Sequence, residues 1–173
     1  MELEGKVQVF TGDGRGKTSA ALGTALRASG YGLKCFIVFF MKGPHKYGEY
    51  ASLKKLGIDF QAFGRPNFLS PEDISPEDLN LSEQALKAAR NAMESGKYDV
   101  IILDELNTAT SWEIVDIGEV LKLIDNKPKG VELVLTGRYA PDRIIEKADY
   151  VAELKNIRHP FDLGLSARKG IDF

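Results

Sequence analysis

Cysteine is almost absent from this sequence: Cys35 is the only one among 173 residues. A single cysteine excludes an internal disulfide and a cysteine-based metal cluster. Cys35 opens an apolar run, residues 35–40, so we expect its thiol to be buried and inert.

Long apolar segments are missing as well. No run approaches the about 18 residues that cross a bilayer. Residues 1–6 lack the basic and then apolar pattern of a signal peptide. We therefore expect a cytoplasmic protein with no membrane partner.

An excess of basic residues is the third absence. Lys and Arg number 23 against 25 Asp and Glu, which gives a formal net charge of −2. This balance argues against a surface built to neutralise nucleic-acid phosphates, so no nucleic-acid partner is expected. With 43% hydrophobic residues, the chain has the length and composition of one globular domain spanning residues 1–173.

Glycine is plentiful in one place, residues 11–18, which read TGDGRGKT. This segment lies between an apolar run and an alanine-rich stretch, the strand-to-helix setting of a phosphate-binding P-loop. In such a loop Lys17 would reach the outer phosphates and the Thr18 hydroxyl would ligate Mg²⁺. Thr11 stands where the common pattern has its first glycine, and an ordinary glycine-rich turn is the alternative interpretation. The predicted nucleotide-binding residues are Thr11, Gly12, Asp13, Gly14, Arg15, Gly16, Lys17, Thr18, Ser19 and Arg138.

Strand patterns alternate with helix patterns along the chain. Strands are predicted at 6–10, 34–41, 58–63, 100–103, 131–136 and 150–154, with the first expected to be central and the third nearer the sheet edge. Helices are predicted at 17–29, 49–56, from 80 or 82 to 95, at 112–125 and at 141–147. The prolines Pro66, Pro71 and Pro76 predict a long surface loop at 64–79. The alternation predicts a three-layer α/β fold: a mostly parallel sheet with helices on both faces, of the P-loop NTPase (RecA-like) kind.

Polar residues follow several of these strands, at the edge where such sheets bind ligands. Asp104 and Glu105 end the apolar run 100–103 and resemble a Walker B strand, so Thr18, Glu105 and Asp104 are the predicted metal ligands. Arg138 follows the strand 131–136 and could contact phosphate oxygens. Lys42 follows the second strand. A surface acidic pair and a solvated arginine are the alternatives.

These residues predict Mg²⁺ and a triphosphate, but they leave the reaction open. An ATPase would need a base that orients water, and Glu105 could serve. A small-molecule kinase would need an acceptor site, which the sequence does not reveal.

Four motifs together resemble the P-loop type of ATP:corrinoid adenosyltransferases, also called cob(I)alamin adenosyltransferases. Residues 11–21 resemble that family's T-G-x-G-K-G-K-T-T-A-A, in which the first threonine is itself typical. Residues 100–106 are similar to its second motif, residues 136–141 resemble T-G-R-x-A-P, and residues 167–173 resemble A-R-x-G-I-E-[FY].

The resemblance implies transfer of the 5′-deoxyadenosyl group of ATP to the cobalt of a reduced corrinoid, with release of triphosphate. It implies Lys17, Thr18 and Glu105 as catalytic residues, Mg²⁺ as cofactor, and a nucleotide reversed relative to most P-loop enzymes. A homodimer is also implied, and a corrinoid reductase is a possible partner. A corrinoid-binding module gated by nucleotide, with little turnover, is the alternative from another class.

One segment departs from the family pattern. The family carries an aromatic-rich stretch of the form M-G-E-G-F-T-W after the second strand, which helps to cover the corrinoid. This chain has residues 47–50, YGEY, and a long segment instead, and its only tryptophan is Trp112. Tyr47 and Phe68 are the candidates for an apolar cover, with local packing as the alternative.

Overall fold

A computed structural model describes residues 4–43, 47–67, 69–160 and 164–172. Among these residues, six strands form one sheet: β1 (Val7–Thr11), β2 (Cys35–Phe40), β3 (Asp59–Phe63), β4 (Val100–Asp104), β5 (Glu132–Thr136) and β6 (Tyr150–Glu153). The strand order is β3-β2-β4-β5-β1-β6, and every neighbouring pair is parallel. The predicted parallel sheet is confirmed, and β3 lies at an edge as expected. β1 is not at the centre but next to the edge strand β6.

In the described part of the chain, six α-helices pack on the sheet: α1 (Lys17–Gly30), α2 (Gly48–Leu56), α3 (Pro76–Glu94), α4 (Leu106–Ser111), α5 (Ile117–Asp125) and α6 (Asp142–Ile145). The fully buried strand β2 shows how they are arranged. Phe36, Val38 and Phe40 lie in one core cluster with residues of α3, α4, α5 and α6. Ile37 and Phe39 lie in a second cluster with residues of α1 and α2. Both faces are therefore covered, which confirms the three-layer α/β fold and explains why β2 reads as a continuous apolar run.

The predicted loop over residues 64–79 is wrong in part. Pro71–Asp73 forms a 3-10 turn, and α3 begins at Pro76 rather than at Asn80 or Ser82. Ser75 caps the helix: Ser75 and Asp78 form a capping box, with a proline at the first helical turn. Pro76, one of the prolines that suggested a loop, is therefore the first residue of the helix.

The helix predicted over residues 112–125 is wrong at its start. Its second part, Ile117–Asp125, is α5, whereas Trp112 caps the end of the preceding helix α4. Glu113 has a φ of 57°, which breaks the helical path, and the Asp116 side chain accepts a hydrogen bond from the Glu119 N–H to start α5. Across the described residues, no helix combines the length and the apolar character that crossing a membrane requires.

Candidate functional site: a phosphate-binding pocket at the carboxyl edge of the sheet

A cavity of about 340 Å³ opens where the carboxyl ends of the parallel strands meet. It brings together most of the predicted site residues with three residues from near the C-terminus. The lining is Asp13, Gly14, Arg15, Gly16, Lys17, Thr18, Ser19, Glu105, Arg138, His159, Ile171 and Asp172. Thr11, Gly12 and Asp104 belong to the predicted site but do not line the cavity.

The loop between β1 and α1 is packed tightly against the chain that follows β6. The Gly14 N–H donates to the Leu154 carbonyl at 2.6 Å, and a Cβ on Gly14 would lie 2.6 Å from the same oxygen. Glycine at this position is therefore required by the close approach of two backbones. One loop N–H is committed to this contact.

The Lys17 ammonium is held by its own loop. Its Nζ donates to the Gly12 carbonyl at 2.7 Å and to the Gly14 carbonyl at 2.8 Å, and the residue is 7% exposed. Burial lowers the pKa of Lys17. A cation with so little hydration gains much from an anion placed beside it.

Thr11 has a structural role that accounts for its place in the motif. It is the last residue of β1 and is buried. Its Oγ1 accepts a hydrogen bond at 3.1 Å from the Ala140 N–H, in the loop after β5. A glycine could not tie these two loops together, so the threonine fixes the P-loop to the segment that carries Arg138.

A chain of hydrogen bonds joins the ends of β4 and β5. The Thr136 hydroxyl donates to Asp104 Oδ1 at 2.7 Å and accepts from the Glu105 N–H at 3.0 Å. Thr108, on α4, donates to Glu105 Oε2 at 2.7 Å and accepts from the Arg138 N–H at 2.9 Å. The carboxylate of Glu105 and the backbone of Arg138 are thereby fixed relative to each other. Thr108 was not among the site residues predicted from the sequence, although its position three residues after Glu105, in the first turn of a helix, was a usable signal.

Lys42, two residues after the end of β2, completes this network. Its Nζ lies 2.6 Å from Asp104 Oδ2 and 3.4 Å from Thr18 Oγ1. Burial by itself lowers the pKa of Lys42, but the ion pair and hydrogen bond with Asp104 outweigh burial, so the pKa is raised. Lys42 is therefore a fixed cation between two predicted metal ligands, a role that the sequence alone did not assign.

Backbone strain is concentrated at the same edge. Met41, Glu105 and Tyr139 have φ values of 55°, 63° and 57°, in the left-handed region that non-glycine residues seldom adopt. Each follows the end of a strand, β2, β4 and β5 respectively. Such strain is typical of sites where side-chain direction matters more than stability.

The chain near the C-terminus forms the outer side of the cavity. Arg15 of the P-loop pairs with the Asp172 carboxylate at 2.9 Å and donates to the Ile171 carbonyl. Arg168 also holds Asp172, through its backbone N–H at 2.8 Å and its side chain at 3.0 Å. Asp172, Ile171 and His159 are site residues that the sequence analysis did not assign.

The donor set fits Mg²⁺. Within residues 4–43, 47–67, 69–160 and 164–172, no group of three or more His, Cys, Asp or Glu side chains could hold a metal. Mg²⁺ bound with a triphosphate needs only one or two protein oxygens, because phosphates and water supply the rest. Thr18 and Glu105 line the cavity with such oxygens, whereas both oxygens of Asp104 already accept hydrogen bonds.

Of the two candidate residues for a corrinoid cover, only Tyr47 lies among the described residues. The Tyr47 ring meets the ring of buried Tyr50 edge-on, with centroids 5.3 Å apart. Tyr47 thus packs locally, at the start of α2. Phe68 lies outside the described residues.

Comparison with known proteins agrees with the motifs. The family described as ATP:corrinoid adenosyltransferase BtuR/CobO/CobP matches residues 3–173. The corrinoid adenosyltransferase of Escherichia coli (strain K12) is 34% identical over 173 residues, which span all of this chain and 88% of that protein. Corrinoid adenosyltransferase CobA of Salmonella typhimurium is 33% identical over 173 residues, with the same coverage. The corrinoid adenosyltransferase of Pseudomonas aeruginosa is 33% identical over 171 residues, covering 98% of this chain and 84% of that protein. The chain belongs to the ATP:corrinoid adenosyltransferase family.

Proposed function

We propose that this protein transfers the 5′-deoxyadenosyl group of MgATP to the cobalt of a reduced corrinoid, either cob(I)alamin or a precursor, and releases triphosphate. Family membership supports the substrates. The observation that carries the proposal is the cavity itself, in which the P-loop, Glu105 and Arg138 surround one space. That grouping suits a leaving group with several negative charges.

The chemistry makes few demands on acid or base groups. The electron pair of Co(I) attacks C5′, a Co–C bond forms, and the C5′–O5′ bond breaks. The triphosphate departs with the bonding electrons, cobalt becomes formally Co(III), and no proton is transferred. The protein must therefore align C5′ with cobalt and stabilise the charge that grows on the triphosphate.

The residues of the cavity divide this work. Lys17, buried among loop carbonyls, places its ammonium at the phosphates, and Arg138 adds a second cation. Thr18 and Glu105 would hold Mg²⁺, with Asp104 supporting them through Lys42 and Thr136. When bound, Mg²⁺ neutralises charge on the triphosphate oxygens.

The reacting atom dictates how the nucleotide lies. In a kinase the terminal phosphate must face the acceptor, whereas here C5′ must face the corrinoid. We propose that the nucleotide is reversed relative to most P-loop enzymes, with the triphosphate still held by the P-loop.

Assembly and location complete the proposal. Residues 1–173 act as one P-loop nucleotide-binding domain, two copies form a homodimer, the enzyme works in the cytoplasm, and a corrinoid reductase supplies Co(I). The family resemblance supports the dimer and the reductase. Sedimentation analysis with and without MgATP tests the dimer: a single species of twice the 19.1 kDa chain mass is expected, and a monomer at all concentrations would contradict it.

The activity is tested by anaerobic incubation with MgATP and chemically reduced cobalamin. We expect the light-sensitive spectrum of a Co–C bond to appear. Formation of orthophosphate or ADP without that spectrum would favour an ATPase or kinase. Binding of both ligands without any product would favour a nucleotide-gated corrinoid-binding module.

A further inference from the structure

Lys42 occupies an unusual place for a lysine. Its ammonium lies between the Asp104 carboxylate and the Thr18 hydroxyl, at 2.6 Å and 3.4 Å. In the ordinary P-loop arrangement, Mg²⁺ lies between a Walker B carboxylate and the hydroxyl of the P-loop. The corresponding groups in this chain are Asp104, at the end of β4, and Thr18. A protein cation thus lies between two groups that would otherwise both be free to face a metal.

Asp104 is fully engaged by this arrangement. It is 1% exposed, its Oδ2 receives Lys42, and its Oδ1 receives the Thr136 hydroxyl. The next residue, Glu105, is turned by its left-handed backbone and lines the cavity. The two adjacent acidic residues are therefore separated in function: one balances Lys42 and the other faces the ligand space.

Charge decides what such a site binds. At the proposed metal position between Thr18 and Glu105, with Lys42 paired to Asp104, a divalent cation finds the Glu105 carboxylate and the Thr18 hydroxyl, with the Lys42 ammonium 3.4 Å from that hydroxyl. Coulomb repulsion from that ammonium opposes a bare metal ion, whereas a metal already bound to a triphosphate brings negative charge that the ammonium attracts.

We propose that Lys42 is a positioning residue that makes metal binding depend on the triphosphate. It keeps Asp104 out of the metal's coordination, so the site holds divalent metal poorly alone and accepts it together with the nucleotide. The inference rests on the proposed placement of the metal at Thr18 and Glu105.

The test is a titration of the nucleotide-free protein with Mn²⁺, in which free Mn²⁺ is counted by electron paramagnetic resonance. Lys42→Met frees the Asp104 carboxylate and removes the nearby charge, so its Mn²⁺ affinity is expected to rise about tenfold or more over the unchanged protein. In Lys42→Met/Asp104→Asn the freed carboxylate is gone, and the affinity is expected to fall back toward the starting value.

Two further variants provide a substitute for Lys42→Met and a control for the loss of one positive charge. Lys42→Gln removes the charge but keeps a donor for Asp104, so it is expected to show a rise that is smaller than in Lys42→Met, and it serves as the test if Lys42→Met does not fold. Lys122→Met removes one positive charge from an exposed ion pair with Glu119, and its Mn²⁺ affinity is expected to stay unchanged. Thermal unfolding of each variant confirms that it is folded.

An unchanged or weaker Mn²⁺ affinity in the folded Lys42→Met or Lys42→Gln protein would overturn the proposal. That result would leave the proposed function standing if the unchanged protein still forms the Co–C bond. Failure of the unchanged protein to form it would reject the function whatever the Mn²⁺ titrations show.

Discussion

Two sides of the same cavity are built in opposite ways. The inner wall is the cavity-lining Glu105 with the hydrogen-bonded residues behind it, Lys42, Asp104 and Thr136, a network in which Asp104 is 1% exposed. The outer wall is formed by Arg15 and Asp172, with Arg168 holding Asp172 from behind, and it is exposed: the Arg15 side chain is 51% exposed. Buried polar networks hold their geometry because an unpaired member is costly, whereas exposed ion pairs are screened by water and salt. The inner wall is suited to hold Glu105 in one position, whereas the weaker contacts of the outer wall are suited to exchange of the nucleotide.

The largest effect is expected at the inner wall, from Glu105→Gln. The change keeps the shape of the side chain but removes the charge that faces the ligand space, so kcat/KM is expected to fall about 100-fold or more. Steady-state transfer assays over a range of Mg²⁺ concentrations measure it. Full transfer activity in this variant, or in Lys17→Ala, would reject the site assignment.

Thr136→Val breaks the inner wall without touching the cavity lining. Valine has nearly the shape of threonine but leaves Asp104 Oδ1 and the Glu105 N–H without their partner. We expect a loss of about 2 kcal/mol in the free energy of unfolding. A fall in transfer rate of about tenfold is expected with it, since Glu105 is then less well held.

Denaturant unfolding and transfer assays on the same protein test that pair of effects. Thr110→Val is a matched control, because Thr110 is also buried but its hydroxyl donates only to the Leu106 carbonyl within α4. A Thr136→Val protein with both values unchanged would show that the network contributes nothing.

Asp172→Asn weakens the outer wall. The ion pairs of Asp172 with Arg15 and Arg168 hold the outer wall in place, but they are weak because they are exposed. Their loss is therefore expected to raise the KM for ATP only about threefold, with kcat nearly unchanged. In the unchanged protein, added salt should raise the KM in the same direction. A large loss of kcat would instead place Asp172 in the chemistry.

The smallest effect is expected far from both walls, from Ser75→Ala. The serine caps α3, so the free energy of unfolding is expected to fall by about 1 kcal/mol. Transfer activity should not change. A clear fall in kcat would show that α3 is coupled to the site.

Strands, the P-loop and the layer order could be predicted because their signals are local. Apolar runs such as residues 35–41 and 100–103 are short, rich in β-branched or aromatic residues, and bounded by polar residues. The start of α3 was missed because Pro76 suggested a loop, whereas proline is favoured in the first turn of a helix. The break between α4 and α5 depends on the positive φ of Glu113, which no pattern in the sequence predicts.

The candidate site likewise has parts that could be predicted from the sequence and parts that could not. The predicted P-loop, Glu105 and Arg138 follow motif spacing and lie around one cavity. The pairing of Lys42 with Asp104 could not be predicted, because it requires β2 and β4 to be neighbours with Phe39 opposite Asp104. The approach of Asp172 to Arg15, 157 positions earlier in the chain, is likewise a property of the folded chain alone.

The central claim, that the cavity holds a triphosphate as a leaving group, is tested most directly by ³¹P NMR of an anaerobic reaction with MgATP and reduced cobalamin run to completion. We predict one triphosphate released for each Co–C bond formed, with neither ADP nor orthophosphate. Loss of ATP to ADP and orthophosphate, with no Co–C bond, would contradict the account.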